Sequence, residues 1–291
     1  MKKFILYFCL TASALCGEIK EITRIDNILE EITPATLVLF DIDDTLIQPT
    51  HYVTHRKWKT WVRKRLAVLY PEDKIKQTDM YGTTFLAINL QAPLTLVEVQ
   101  TPALIAQLQG RGLEVWALTS RGQDYWYSYP VKGMSHKTIA QLQHVGIHFD
   151  KSTRKHDFAA CPNFEGGILF TKNEDKGPFL IRLFKQIGYR PEKVVFVDDH
   201  PDQVESVVES LEKEGIACVG YHYSAASDKP FHFEACLMQF KYMYENHVLL
   251  SNEEVLQKDL TTVSAEDYFL DYVTNYHEKL HQATLSGAFC R

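Results

Sequence analysis

The sequence predicts an α/β protein: a doubly wound parallel sheet, with a small, mostly helical insertion and a helical C-terminal extension. Three observations carry this. Short apolar runs such as TLVLF (36–40) and VVFV (194–197) are apolar throughout, so strands there are buried on both faces. Segments with helical spacing of apolar residues separate them. Polar clusters stand at the carboxyl ends of the runs, where open α/β sheets bind ligands.

The elements follow in order. Residues 36–40 form the first strand. Residues 101–109 read as a helix through Leu104, Ile105 and Leu108, and LEVWALT (113–119) as the second strand. A helix over 136–145 leads to a strand over 167–171. A helix over 179–187 leads to KVVFVDD (193–199), and a helix over 204–213 to the last strand, IACVGY (216–221). Strands alternating with helices read as parallel crossover units.

Around this core, spanning 18–48 and 101–223, residues 49–100 read as the insertion and 224–291 as the extension. FEACLMQFKYMYENHVLL and SAEDYFLDYVTNYHEKL in the extension read as helices that pack on the core, cover the insertion or bind a partner. The start, MKKFILYFCLTASALCG, has a basic head, an apolar run and small residues, the pattern of a signal peptide over 1–17. The run is too short to span a bilayer. Export follows, to the periplasm or the medium, with a lipid anchor at Cys16 the lesser alternative and a buried N-terminal helix another. No later stretch predicts a transmembrane span.

The composition is ordinary for a globular chain of 291 residues: 45% hydrophobic and 23% charged. A formal charge of -6 gives no reason to expect a nucleic-acid partner. Cys161, Cys218, Cys236 and Cys290 follow the leader. Export permits disulfides among them, free buried thiols are equally consistent, and no C-x-x-C pair suggests zinc.

The candidate site collects the strand ends. Asp41 and Asp43 follow the first strand, Thr119 and Ser120 the second, and Asp198 and Asp199 the fourth. Lys176 opens a helix at Lys176-Gly177-Pro178, whose amides would face an anion. Any one of these alone reads equally as a cap or turn. Right-handed crossovers would bring all four groups into one crevice.

That order resembles the phosphatase division of the haloacid dehalogenase superfamily, over about 36–221. Asp41-Ile42-Asp43-Asp44-Thr45 is similar to the first motif of that family, Thr119 to the second, Lys176 to the third and Asp198-Asp199 to the fourth. Response regulators use similar groups, but there the hydroxyl and lysine follow both acidic positions. FDIDDT is also similar to the secreted acid phosphatases of bacteria. The resemblance implies a Rossmann-like core and a cap made by the insertion. It makes Asp41 the nucleophile that forms an aspartyl-phosphate, and Asp43 the acid that protonates the leaving oxygen and then activates water. Asp41, Asp198 and the Asp43 carbonyl would bind the metal, with Asp199 acting through water or orienting a neighbour. Thr119, Ser120 and nearby amides would hold the phosphoryl oxygens, with Lys176 offsetting their charge.

Electrostatics agrees that such a site needs a cation. Two unit charges about 4 Å apart repel by roughly 4 kcal/mol at an effective dielectric of about 20, and the cluster holds several carboxylates. Oxygen donors without His or Cys suit Mg²⁺ better than Zn²⁺. The reading is therefore a secreted, Mg²⁺-dependent phosphomonoester hydrolase taking a small phosphomonoester. The alternatives are a phosphotransferase, or an exported protein that keeps the fold but binds phosphorylated ligands or host components.

Substrate recognition is less legible. HRKWKTWVRKR (55–65) is either a cap face that meets phosphate or a base ring, or a solvated amphipathic helix with Trp58 and Trp61 turned inward, as such charge runs usually are. DYWYSYP (124–130) either stacks on a substrate ring or simply packs. His200 before Pro201 reads most simply as a helix start.

Overall fold

A computed structural model describes residues 17–126, 129–151, 156–228, 230–262, 269–272 and 275. Residues 1–16 of the expected leader, Cys16 and Cys290 lie outside them, as do 127–128 in DYWYSYP and most of SAEDYFLDYVTNYHEKL.

Eleven strands occur among the described residues: β1 (Glu18–Ile22), β2 (Thr36–Phe40), β3 (Ile47–Pro49), β4 (Leu94–Leu96), β5 (Glu114–Thr119), β6 (Tyr125–Trp126), β7 (Tyr129–Pro130), β8 (Phe164–Glu165), β9 (Ile168–Phe170), β10 (Lys193–Asp198) and β11 (Ala217–Tyr223). Seven form one sheet in the order β1-β11-β10-β2-β5-β9-β8. Every pairing in it is parallel except β8 with β9. That hairpin turns on Gly166 and Gly167, at φ 59° and 83°, the two left-handed positions a tight two-residue turn requires.

The helices are α1 (Arg56–Leu69), α2 (Lys74–Gln91), α3 (Thr101–Gly110), α4 (Met134–His144), α5 (Lys176–Ile187), α6 (Pro201–Lys213), α7 (Phe233–Asn246) and α8 (Asn252–Leu256). Both sheet faces are covered. Val38 and Phe40 of β2 pack with Leu104, Ile105 and Leu108 of α3 and Leu142 of α4. Leu37 and Leu39 pack with Leu180 and Leu183 of α5 and Val204 and Val207 of α6. Each such fully buried side chain contributes about 1.5–3 kcal/mol. The core is thus α/β with a mostly parallel sheet covered on both faces, compatible with a Rossmann-like fold.

The chain leaves β2 towards β5 and β9 on one side, then returns to the other side for β10 and β11. The order therefore reverses between β2 and β10, and a crevice opens beyond their carboxyl ends. Close packing of α5 on α6 depends on Gly177, where a Cβ would lie 2.0 Å from the Ser206 carbonyl oxygen.

The insertion leaves and returns through the antiparallel β3–β4 ladder. Its helices do not form a unit separate from the C-terminal extension. Trp58, Val62, Tyr81 and Phe85 share one hydrophobic core with Leu237, Phe240, Tyr244 and Tyr272. Buried Gln239 ties the two together: it accepts from the Val53 amide at 2.9 Å and donates to the Leu250 carbonyl at 2.8 Å. Of the three destinations open to the extension, it takes the one over the insertion. Cys161, Cys218 and Cys236 are buried free thiols. No helix among the described residues is long and apolar enough to cross a membrane.

Candidate functional site

β2 ends at Phe40, and the Asp41 amide continues its ladder to the Val197 carbonyl at 2.8 Å. This register sets Asp41 beside Asp198, the last residue of β10. The chain then turns sharply, with the amides of Leu46 and Ile47 both donating to the Ile42 carbonyl. Asp44 takes the left-handed position at φ 59°, which Asp tolerates better than most residues. Thr45, fully buried, accepts from the Asp199 amide at 3.1 Å and so fixes the second acidic pair against the first turn.

The floor is an ion network. Lys176 Nζ donates to Asp41 Oδ1 at 2.5 Å and Asp198 Oδ2 at 2.6 Å, and all three side chains are buried. The His200 amide donates to Asp198 Oδ1 at 2.8 Å. Carboxylate oxygens of Asp41, Asp198 and Asp199 all lie within 4.8 Å of one another. Burial pushes the Asp41 carboxyl well above the usual carboxylate range, Lys176 opposing and Asp198 and Asp43 adding. Burial, then Asp41 and Asp198, likewise raise Asp199. Burial alone would lower the Lys176 ammonium, but Asp198 and Asp41 outweigh it and raise it. With every carboxyl ionised the floor would carry more negative charge than Lys176 and Arg121 neutralise, a condition a bound cation would relieve.

Asp43 is held differently. Arg121 donates Nε to Oδ2 at 2.8 Å and Nη2 to Oδ1 at 2.7 Å, a bidentate pair. Thr138 and Gln141 of α4 accept from Arg121 Nη1 at 3.0 and 2.7 Å and lock the guanidinium. Burial alone would raise the Asp43 carboxyl; the Arg121 charge and hydrogen bonds, with Lys59 and Lys176, leave it below the ordinary range. Its side chain is 46% accessible, from the cavity.

Above the floor lies a cavity of about 640 Å³, lined by Asp41, Asp43, Ser120, Asp198 and Asp199 below and by α1, α2 and β6 above. That volume suits a small ligand. Thr119 is buried under this lining and its hydroxyl accepts from the Arg121 amide at 3.3 Å. The structure therefore brings Asp41, Asp43, Ser120, Lys176, Asp198 and Asp199 together, with Thr119 one layer beneath.

One expectation fails. The first amides of α5 do not face an anion: Lys176 donates to Gln203 Oε1 at 3.0 Å and Gly177 to Ser206 Oγ at 3.3 Å. α6 approaches too closely to leave room for a ligand. The basic helix turns its two Trp inward and one side of its charged face to the cavity. Trp58 and Trp61 stack on each other at 4.9 Å and pack against Phe233, while Arg56, Lys59 and Arg63 line the cavity. Tyr125 and Trp126 border it too, and His200 caps α6 at its edge. Arg121 carried no signal in sequence beyond following Ser120, because Asp43 and two residues of α4, all distant in sequence, aim it.

Over residues 18–256 the chain matches the family described as "Protein of unknown function (DUF2608)". The chain belongs to this family. Among similar proteins, one of Chlamydia trachomatis, named "Putative outer membrane protein", is 25% identical over 222 residues, covering 74% of this chain and 79% of that one. A protein of Chlamydia pneumoniae with a similar name is 25% identical over 255 residues, covering 85% and 92%. A protein of Rickettsia prowazekii, named as uncharacterized, is 24% identical over 208 residues, covering 68% and 73%. No solved structure matches the chain.

Proposed function

We propose that this DUF2608 protein is an exported, divalent-metal-dependent phosphomonoesterase with a haloacid dehalogenase-type core and a nucleophilic Asp41. The observation that carries this reading is the meeting of Asp41, Asp198 and Asp199 with Lys176 at the point where strand order reverses. The donor set is all oxygen and carries excess negative charge, which fits Mg²⁺ held by Asp41, Asp198 and the Asp43 carbonyl, with Asp199 beside them. When bound, the ion neutralises the carboxylates and polarises the phosphoryl oxygens.

The chain's own groups divide the remaining work. An Asp41 carboxylate oxygen attacks phosphorus, the ester P–O bond breaks, and the leaving oxygen takes a proton from Asp43. Asp43 then takes a proton from water, whose oxygen attacks phosphorus and expels Asp41. Lys176 orients Asp41 and offsets charge on the transferring group; Ser120 borders the space for its oxygens, and Thr119 supports that loop from beneath. Arg121 sets the state of Asp43. The negative charge of a phosphate beside Asp43 would raise its hold on a proton against the pull of Arg121, as a general acid requires.

Export rests on the leader pattern of residues 1–17 and on the relatives' names, with the periplasm or the medium as destination. The test is phosphate release by the mature chain from a panel of phosphomonoesters. Turnover with Mg²⁺, lost in chelator and in Asp41→Asn, is expected. Full turnover in excess chelator, or in Asp41→Asn, overturns the reading. Binding without turnover assigns a phospho-ligand binding protein instead.

A further inference from the structure

The charges lining the cavity fall into two sets. The five carboxylates, Asp41, Asp43, Asp44, Asp198 and Asp199, each have a cation close by. Lys176 serves Asp41 and Asp198, and Arg121 serves Asp43. Lys59 lies 3.5 Å from Asp44 and Arg56 lies 3.9 Å from Asp199. Two further cations line the cavity, Arg63 on α1 and Lys172 on the loop after β9. Among the described residues, neither is ion-paired with a carboxylate.

Each lies instead over an aromatic ring. The Arg63 guanidinium is 4.3 Å from the centroid of Tyr81, and Lys172 Nζ is 3.6 Å from that of Tyr125. A ring face steadies a cation without cancelling its charge, so both remain able to meet an anion. Lys172 is also held in an unfavourable backbone. It and Asn173 both adopt left-handed conformations, φ 52° and 62°, which cost a residue such as Lys about 1–2 kcal/mol and Asn less. The Lys172 amide donates to the Arg121 carbonyl at 3.1 Å and the Asn173 amide to the Ser120 carbonyl at 2.9 Å. These bonds tie the strained turn to the segment that borders the floor. Strain of this kind persists where surrounding structure enforces it, commonly at ligand clamps.

We infer that Arg63 and Lys172 recognise a second anionic group on the leaving part of the substrate, so that the substrate class is a phosphomonoester bearing its own carboxylate or second phosphate. The inference rests on the phosphatase reading above and deepens it. The floor takes the scissile phosphate together with the cation; the two ring-supported cations take the remote anion. Tyr81, Phe85 and Trp126 add apolar surface to the same cavity.

The test compares phenyl phosphate, 4-carboxyphenyl phosphate and 1,4-phenylene bisphosphate, which share an aryl leaving oxygen and differ in the remote group. The doubly anionic esters should have the higher kcat/KM, mainly through KM. Arg63→Gln and Lys172→Gln should each lower the ratio of doubly anionic to phenyl ester by up to about fivefold, the upper end for an exposed ion pair. Preference for the carboxylate or for the bisphosphate names the second group. Equal kcat/KM on all three esters, or a ratio unmoved in both variants, overturns this inference while leaving the phosphatase reading in place. If none is hydrolysed, the phosphatase reading falls, and calorimetry with the same three compounds decides. Tighter binding of the doubly anionic pair, weakened in both variants, supports the recognition site; equal binding overturns it.

Discussion

The floor and the wall of the cavity handle charge in opposite ways. On the floor, Lys176 is buried between two carboxylates and Arg121 is spent on Asp43. On the wall, Arg63 and Lys172 lean on tyrosine rings and keep their charge. The floor comes from the ends of β2, β5 and β10, rigid elements of the sheet. Much of the wall comes from helices whose packing is completed by the C-terminal extension. The difference separates two tasks. On the proposed reading, a floor whose cations are all paired positions groups for one chemistry, whereas a wall of unpaired cations would select what is brought to it.

The largest expected effect breaks the floor. Lys176→Met leaves Asp41 and Asp198 buried without their shared partner, and removing one side of a buried ion pair destabilises by about 3–5 kcal/mol. Urea unfolding without metal should show that loss, and Mg²⁺ should restore part of it, because a cation offsets the same charge. A loss of the same size with and without Mg²⁺ would place no cation near Lys176. A smaller effect sharpens the boundary of the wall. Trp58 of the insertion and Phe240 of the extension have ring centroids 5.7 Å apart. Trp58→Ala and Phe240→Ala should each cost about 3–5 kcal/mol. In a double-mutant cycle the pair should couple by at least about 0.5 kcal/mol. Strict additivity would show that the insertion and the extension are energetically separate.

The sheet was legible in sequence because its strands are apolar on both faces. The first turn was legible because three aspartates after a buried strand have few structural uses. Predicted elements such as 36–40 and 113–119 agree with β2 and β5 to within a residue. β1 was not legible: Glu18, Lys20 and Glu21 give an edge strand no apolar run. The amides of α5 were misread because Gln203 and Ser206, which satisfy them, come from the next helix. Arg121 was invisible for a related reason, since Thr138 and Gln141 aim it from another element. Likewise, helical spacing shows that α7 has an apolar face, but not that its partner is Trp58. Local pattern reveals strands and turns; contacts between distant elements decide which polar groups are used up and which stay available.

On the proposed mechanism Asp41 and Asp43, two residues apart, have different tasks. The most direct measurement traps the intermediate. Asp43→Asn keeps the backbone carbonyl at position 43 but loses the proton donor and later base, a role worth about 10²–10⁴-fold. An aryl phosphate with an acidic phenol needs little protonation, so its first step should survive while water attack slows. Incubated with such an ester and Mg²⁺, then quenched and peptide-mapped, Asp43→Asn should carry a phosphoryl group on Asp41, and Asp41→Asn should carry none. Turnover by the wild type with no phosphoryl group trapped in either variant, or with the group on another residue such as His200, would contradict the account.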